Sequence, residues 1–216
     1  ALRTGHLGKA MSETADIEPI GKREKTKVAN RQAILVAARA VFAELGYEAA
    51  TVRDIIRGTD LASGTFYNYF KSKEEVFDAL ADDGARRFRP ILRMARENAE
   101  SFEDYLHSAF VAYLHFIVQD NQLEGRPIQE RRPHIIRMDT PEMVAVYQEV
   151  RQSLEDAIAH GDAPRVDADY LACACIGIAQ EVGSAMLRRS PQDIDAAANF
   201  VTGLLLKGLE GAAQKT

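Results

Sequence analysis

The chain has 216 residues, 46% of them hydrophobic and 27% charged, which allows one or two globular domains with a substantial core. It holds no run of 18 uninterrupted apolar residues, and its start lacks the basic-then-apolar layout of a secretory signal; no membrane span is expected, and a cytoplasmic location is. The net charge of −5 conceals a division: Lys22 to Lys73 carries ten Lys/Arg against five Asp/Glu, whereas Ala81 to the end carries 15 against 21, so a basic head on an acidic body remains compatible with a polyanionic partner.

Residues 1–21 are expected to be a flexible N-terminal segment. Within it ALRTGHLGKA precedes Met11, shows no hydrophobic pattern, and reads as an upstream extension or a cloning remnant. The basic run Lys22, Arg23, Lys25, Lys27 and Arg31 is expected to be a solvated, flexible arm, or to lie along phosphates or enter the minor groove. A first helix over about Val28–Leu45 places Ile34, Ala37, Ala38, Val41, Phe42 and Leu45 on one stripe, and Gly46 ends it. Thr51 is placed to cap a short helix carrying Val52, Ile55 and Ile56, which stops at the Gly58-Thr59-Asp60 bend. A second short helix follows, about Ser63 to Phe70, in which Phe66 and Phe70 share an inward face. That leaves Ser63, Thr65, Tyr67, Asn68 and Tyr69 for polar recognition. Ser72, with Glu75 as capping-box partner, opens the next helix, and Lys71 and Lys73 beside it suit phosphate.

Ile34, Leu35, Ala37, Ala38, Phe42 and Gly46, then Thr51, Val52 and Ile55, then Gly64-Thr65-Phe66-Tyr67-Asn68-Tyr69-Phe70 and Ser72-Lys73-Glu74 form a pattern over about Val28–Leu80. It resembles the N-terminal DNA-binding domain of the TetR family of bacterial transcriptional regulators. The bend differs, with Thr59-Asp60-Leu61 and Ala62 where the family often has Ala-Gly-Val and Ser. The resemblance implies a helix-turn-helix domain at 22–72 and a helical effector-binding and dimerisation domain at 73–216. On this reading Ser63, Thr65, Tyr67 and Asn68 reach bases or nearby phosphates, while Thr51, Gly64 (through its amide), Tyr69 and Lys73 fix the register on phosphates.

The helix opened by Ser72 aligns Phe77, Leu80, Gly84, Phe88 and Ile91 and is expected to bend or stop near Pro90. The resemblance makes it the joint whose displacement by ligand moves the two heads of a dimer. Helical patterns continue at about Phe102–Val118 and from Thr140-Pro141 to Gly161, with a polar stretch, Asp120 to Met138, expected to hold a short irregular helix. The fold class is therefore all-α. Because the family's bodies commonly enclose an effector cavity, Tyr105, Phe110, Tyr113, Phe116, Met143 and Tyr147 are the candidate lining, a mix suited to a small hydrophobic or aromatic effector. Tyr170–Ala179, apolar on all sides, and a last helix over about Pro191–Ala212 are expected to form a homodimer interface, with Gly177, Gly183, Gly203 and Gly208 permitting close approach.

Catalytic chemistry is not expected. Cys173 and Cys175, about 200° apart around a helix, cannot close a normal disulfide and read as buried thiols; His107 and His115 stand roughly 12 Å apart along theirs. His134 beside Arg131, Arg132 and Arg137 reads as a solvated basic turn or an anion contact. No phosphate loop, nucleophile elbow or zinc spacing occurs, so no cofactor or metal is called for. The expectation is a homodimeric repressor released from a palindromic double-stranded DNA operator by the effector. The alternatives are an activator, a ligand-independent regulator, or a helical small-molecule-binding protein or enzyme without DNA binding.

Overall fold

A computed structural model describes residues 21–122 and 139–212. The helices are α1 Lys22–Leu45, α2 Val52–Arg57, α3 Ser63–Tyr67, α4 Lys73–Asn98, α5 Phe102–Gln122, α6 Pro141–His160, α7 Ala168–Leu187 and α8 Ile194–Ala212. No strand occurs among the described residues, and the fold is all-α. The expectations for residues 1–20 and for the polar stretch after Gln122, His134 and its arginines included, lie outside the described residues.

Two cores organise the chain. In the first, Ile34, Leu35, Ala38 and Phe42 of α1 meet Ile55, Phe66 and Phe70, and the cluster continues into Val76, Phe77 and Ala79 of α4. The beginning of α4 therefore belongs to the head's packing. Thr51 opens α2 with a capping box whose partner is Asp54. Gly58 follows α2 with φ −79°, so the bend does not call on left-handed backbone; a Cβ there would stand 3.1 Å from Ala37 Cβ, and close approach to α1 is what glycine provides. Gly46, at φ 78°, does use the left-handed range to end α1, as expected.

Several boundaries differ from expectation. The basic run is not an arm: α1 begins at Lys22, because Lys, Arg and Glu are good helix formers and extend a helix already anchored by its apolar stripe. The helical part of α3 ends at Tyr67, and the amides of Tyr69 and Phe70 then bond back to the Phe66 carbonyl, so Phe70 still turns inward. The joint helix α4 neither breaks nor stops at Pro90, which lies on an exposed side where water can serve the carbonyl it leaves without a donor; Ile91 is part-exposed.

The second core fills the body: Leu106, Phe110 and Leu114 of α5, Leu154 of α6, Ala172 and Cys175 of α7, and Val201 and Leu205 of α8. At Gly183 a Cβ would come within 2.7 Å of Ile117 Cδ1 and 3.2 Å of the Tyr113 ring, so this glycine admits α5 to α7 within one chain, not between chains. By length and composition α7 is apolar enough to cross a bilayer, yet Leu171, Ala172, Cys175 and Met186 are buried in the body core.

Candidate DNA-reading face and body cavity

The head's short α3 divides by side. Phe66 and Phe70 are 1% and 4% exposed, whereas Tyr67 is 57% exposed, with Ser63, Gly64 and Asn68 on the same open surface and Thr65 and Tyr69 half-buried beside it. No atom comes within 4 Å of a Cβ placed on Gly64, so its backbone is open to an approaching phosphate. Arg31 of α1 lies over the inward-turned Phe70 ring at 5.4 Å, which holds the basic first turns of α1 beside this segment.

Thr51, exposed at the head of α2, and the half-buried Lys73 both make hydrogen bonds within the head. The Thr51 hydroxyl donates to Asp54 Oδ2 at 2.6 Å and accepts from the Asp54 amide at 3.3 Å; the hydroxyl bond, followed by that of the Thr51 amide to Asp54 Oδ2 at 3.0 Å, holds the Asp54 carboxyl below its usual range. Lys73 Nζ donates to the carbonyls of Tyr47, Glu48 and Ala50 at 2.8, 3.2 and 3.2 Å and stands 4.6 Å from the Tyr47 ring. An ammonium has three protons, and all three are used to fasten α4 to the turn after α1. Nearby, Tyr47 donates to Glu74 Oε1 at 3.1 Å, with burial and then that carboxylate raising its pKa. In the cap of α4, Ser72 accepts from the Glu75 amide, while the Glu75 carboxylate reaches the Lys71 amide at 2.8 Å instead of closing the box on Ser72.

The body contains a cavity of about 200 Å³ between α4, α5, α6 and α7. Of the candidate lining residues it brings together Tyr105, Phe110, Tyr113, Phe116 and Met143. Tyr147 is not among them: its hydroxyl donates outward to Asp169 at 3.0 Å, beside Arg151, and burial followed by that bond pushes the phenol up to about 12. The error came from treating one helix face as one environment; α6 rotates Tyr147 past the cavity toward α7. Sequence reasoning missed the contribution of α4, where Leu80, Gly84, Phe88 and Leu92 line the opposite wall. Their spacing of four was the available signal.

Asp120, also on the cavity wall, accepts from Arg39 of α1 at 2.8 Å and from Arg87 of α4 at 2.7 Å. Asp83 completes the cluster, 3.3 Å from Arg39 and 3.1 Å from Arg87. Head, joint helix and cavity thus meet in four charges. Burial opposes the Arg87 charge, but the two carboxylates more than offset it and raise its pKa. Farther along α4, Arg86 and Arg89 face Glu142, Arg89 and Arg93 face Glu149, and Arg96 faces Asp156, so α4 and α6 run side by side on a ladder of ion pairs.

On the outer face of the last two helices, Tyr170, Cys173, Ala174 and Gly177 of α7 and Phe200 and Leu204 of α8 are exposed; Tyr170 is 78% and Phe200 61% exposed. Cys173 is therefore open in the single chain, contrary to expectation, while burial pushes the Cys175 thiol up to about 12.

Residues 34–80 match the family model described as bacterial regulatory proteins, tetR family. The HTH-type transcriptional regulator YhgD of Bacillus subtilis is 28% identical over 61% of this chain and 70% of its own length. The HTH-type transcriptional repressor KstR2 of Mycobacterium tuberculosis is 37% identical over 41% of this chain, a match that spans less than half, 46%, of KstR2. Among solved structures, the transcriptional regulator FadR from Bacillus subtilis in complex with stearoyl-CoA superposes with a TM-score of 0.64 at 22% identity, over 82% of this chain and 98% of that one.

Proposed function

We propose that the chain, whose head matches the TetR family model, is a transcriptional repressor that binds a palindromic operator as a homodimer and leaves it when an apolar small molecule occupies the body. The carrying observation is α3: two phenylalanines sealed inward and Ser63, Gly64, Tyr67 and Asn68 facing out, next to an α1 whose first turns are basic. Two such helices, one per subunit, fit successive major grooves about 34 to 36 Å apart. Ser63, Thr65, Tyr67 and Asn68 contact bases or adjoining phosphates, while the Gly64 amide and Tyr69 set register. Thr51 and Lys73 support that register from behind, by holding α2 and α4.

The exposed apolar faces of α7 and α8 are the subunit contact. The cavity is the effector site, and the stearoyl-CoA held by a structurally similar regulator supports an apolar occupant. Such an occupant touches α4 directly and shifts the head only through its differential affinity for two positions of that helix.

A gel-shift series on the promoter region beside its own gene tests the proposal. The expected result is sequence-selective retardation with steep salt dependence, weakened for Tyr67→Ala at unchanged melting temperature. Weak retardation indifferent to sequence overturns it.

A further inference from the structure

The cavity is almost wholly apolar, so its few polar groups decide what else an occupant must carry. Gln180, on the α7 side of the wall, is not free of partners. Asp120 is held by two guanidinium groups. Tyr105 is buried beside Ser153, whose own hydroxyl donates to the Glu149 carbonyl at 2.8 Å. Tyr113 is different. Its ring is set edge-on against Phe88 at 5.6 Å and abuts Gly183, so the phenol is fixed in place, yet its hydroxyl has no hydrogen-bond partner among the described residues. Burial alone pushes that phenol up to about 12, which keeps it a neutral O–H donor at any physiological pH. A bound molecule that supplies an acceptor gives this hydroxyl its hydrogen bond inside an apolar wall.

We propose that Tyr113 is the specificity-determining residue of the cavity, donating to an uncharged carbonyl oxygen on an otherwise apolar effector. This rests on the cavity being the effector site. A carboxylate is the poorer acceptor here: the charged group on the cavity wall is Asp120, and Arg39 and Arg87 are already engaged by acids. The recognised class is a ketone, ester or thioester on a hydrocarbon body.

The full-length protein and Tyr113→Phe are titrated with 2-decanone, decane and decanoate at pH 8, each displacing the neutral fluorophore 1-aminoanthracene. Tyr113→Phe removes only an unpaired hydroxyl, so its melting temperature is expected to equal or exceed that of the parent. The ketone should weaken about 3- to 10-fold in Tyr113→Phe while decane is unchanged, and the parent should bind the ketone more tightly than decanoate. Equal effects on ketone and decane, or tighter decanoate binding by the parent, overturn the assignment of Tyr113 and leave the cavity as an effector site. Failure of every apolar probe to displace the fluorophore overturns the effector site itself, and the inference with it.

Discussion

Thr51 works within its own helix turn, and its removal has a specific signature. Thr51→Ala deletes the cap of a six-residue helix and should lower stability by about 1 kcal/mol, read by thermal melts. The pH dependence adds a second check. Asp54 has its folded pKa held down first by the Thr51 hydroxyl and then by the Thr51 amide, so its contribution is complete above about pH 4 and is lost as pH falls through the lowered folded value; the Thr51→Ala protein, which keeps the amide, should show a smaller acid-dependent component. Lys73→Met leaves three turn carbonyls without their donor and should cost about 2 kcal/mol, also read by melting. The inward pair Phe66 and Phe70 was legible from spacing alone, because four residues bring two side chains to one helix face. The fate of the Lys73 ammonium was not: its acceptors lie more than 20 residues earlier, and short-range patterns carry no information on such a contact.

At the scale of elements, α4 joins what the two cores separate. Gly84 lines the cavity on this helix, and a Cβ there meets nothing within 4 Å. Gly84→Ala should therefore raise stability by about 0.5–1 kcal/mol through helix propensity while narrowing the cavity, so melting temperature rises and affinity for bulky apolar probes falls. Glu149, between Arg89 and Arg93, is raised by burial and lowered more strongly by the two guanidinium bonds, so it stands below the usual carboxylate range. Its contribution is present above about pH 4 to 5 and is lost as pH falls; Glu149→Gln should flatten the acid limb of the melting profile and its salt dependence. Helix existence and type were legible throughout the described body, since each apolar stripe is long. The stop expected at Pro90 does not occur because local preference was weighed without its setting: packing on both sides of the proline carries α4 through it. The lining of the cavity was legible on α5, where the aromatics stand at helical spacing, and only partly on α6, whose rotation about its axis depends on partners the sequence does not name.

For the whole molecule, exposed Tyr170, Phe200 and Leu204 mark a surface that a lone chain would leave to water. Light scattering behind size exclusion should give twice the 23.9 kDa protomer mass, and Phe200→Glu should halve it while the far-ultraviolet helical signal stays. A parent protein that elutes as a single protomer at micromolar concentration would remove this face as the subunit contact.

The ladder beside the joint helix has a mechanical implication. Glu142, Glu149 and Asp156 recur every seven residues, Arg86 and Arg93, like Arg89 and Arg96, recur at the same interval, and Arg89 already bridges two of the acids. Because Arg89 reaches Glu142 and Glu149 together, losing one contact leaves that guanidinium paired with the other. Ion pairs spaced along the two rods therefore resist their separation at several points at once, so loosening one pair leaves the joint held by the others.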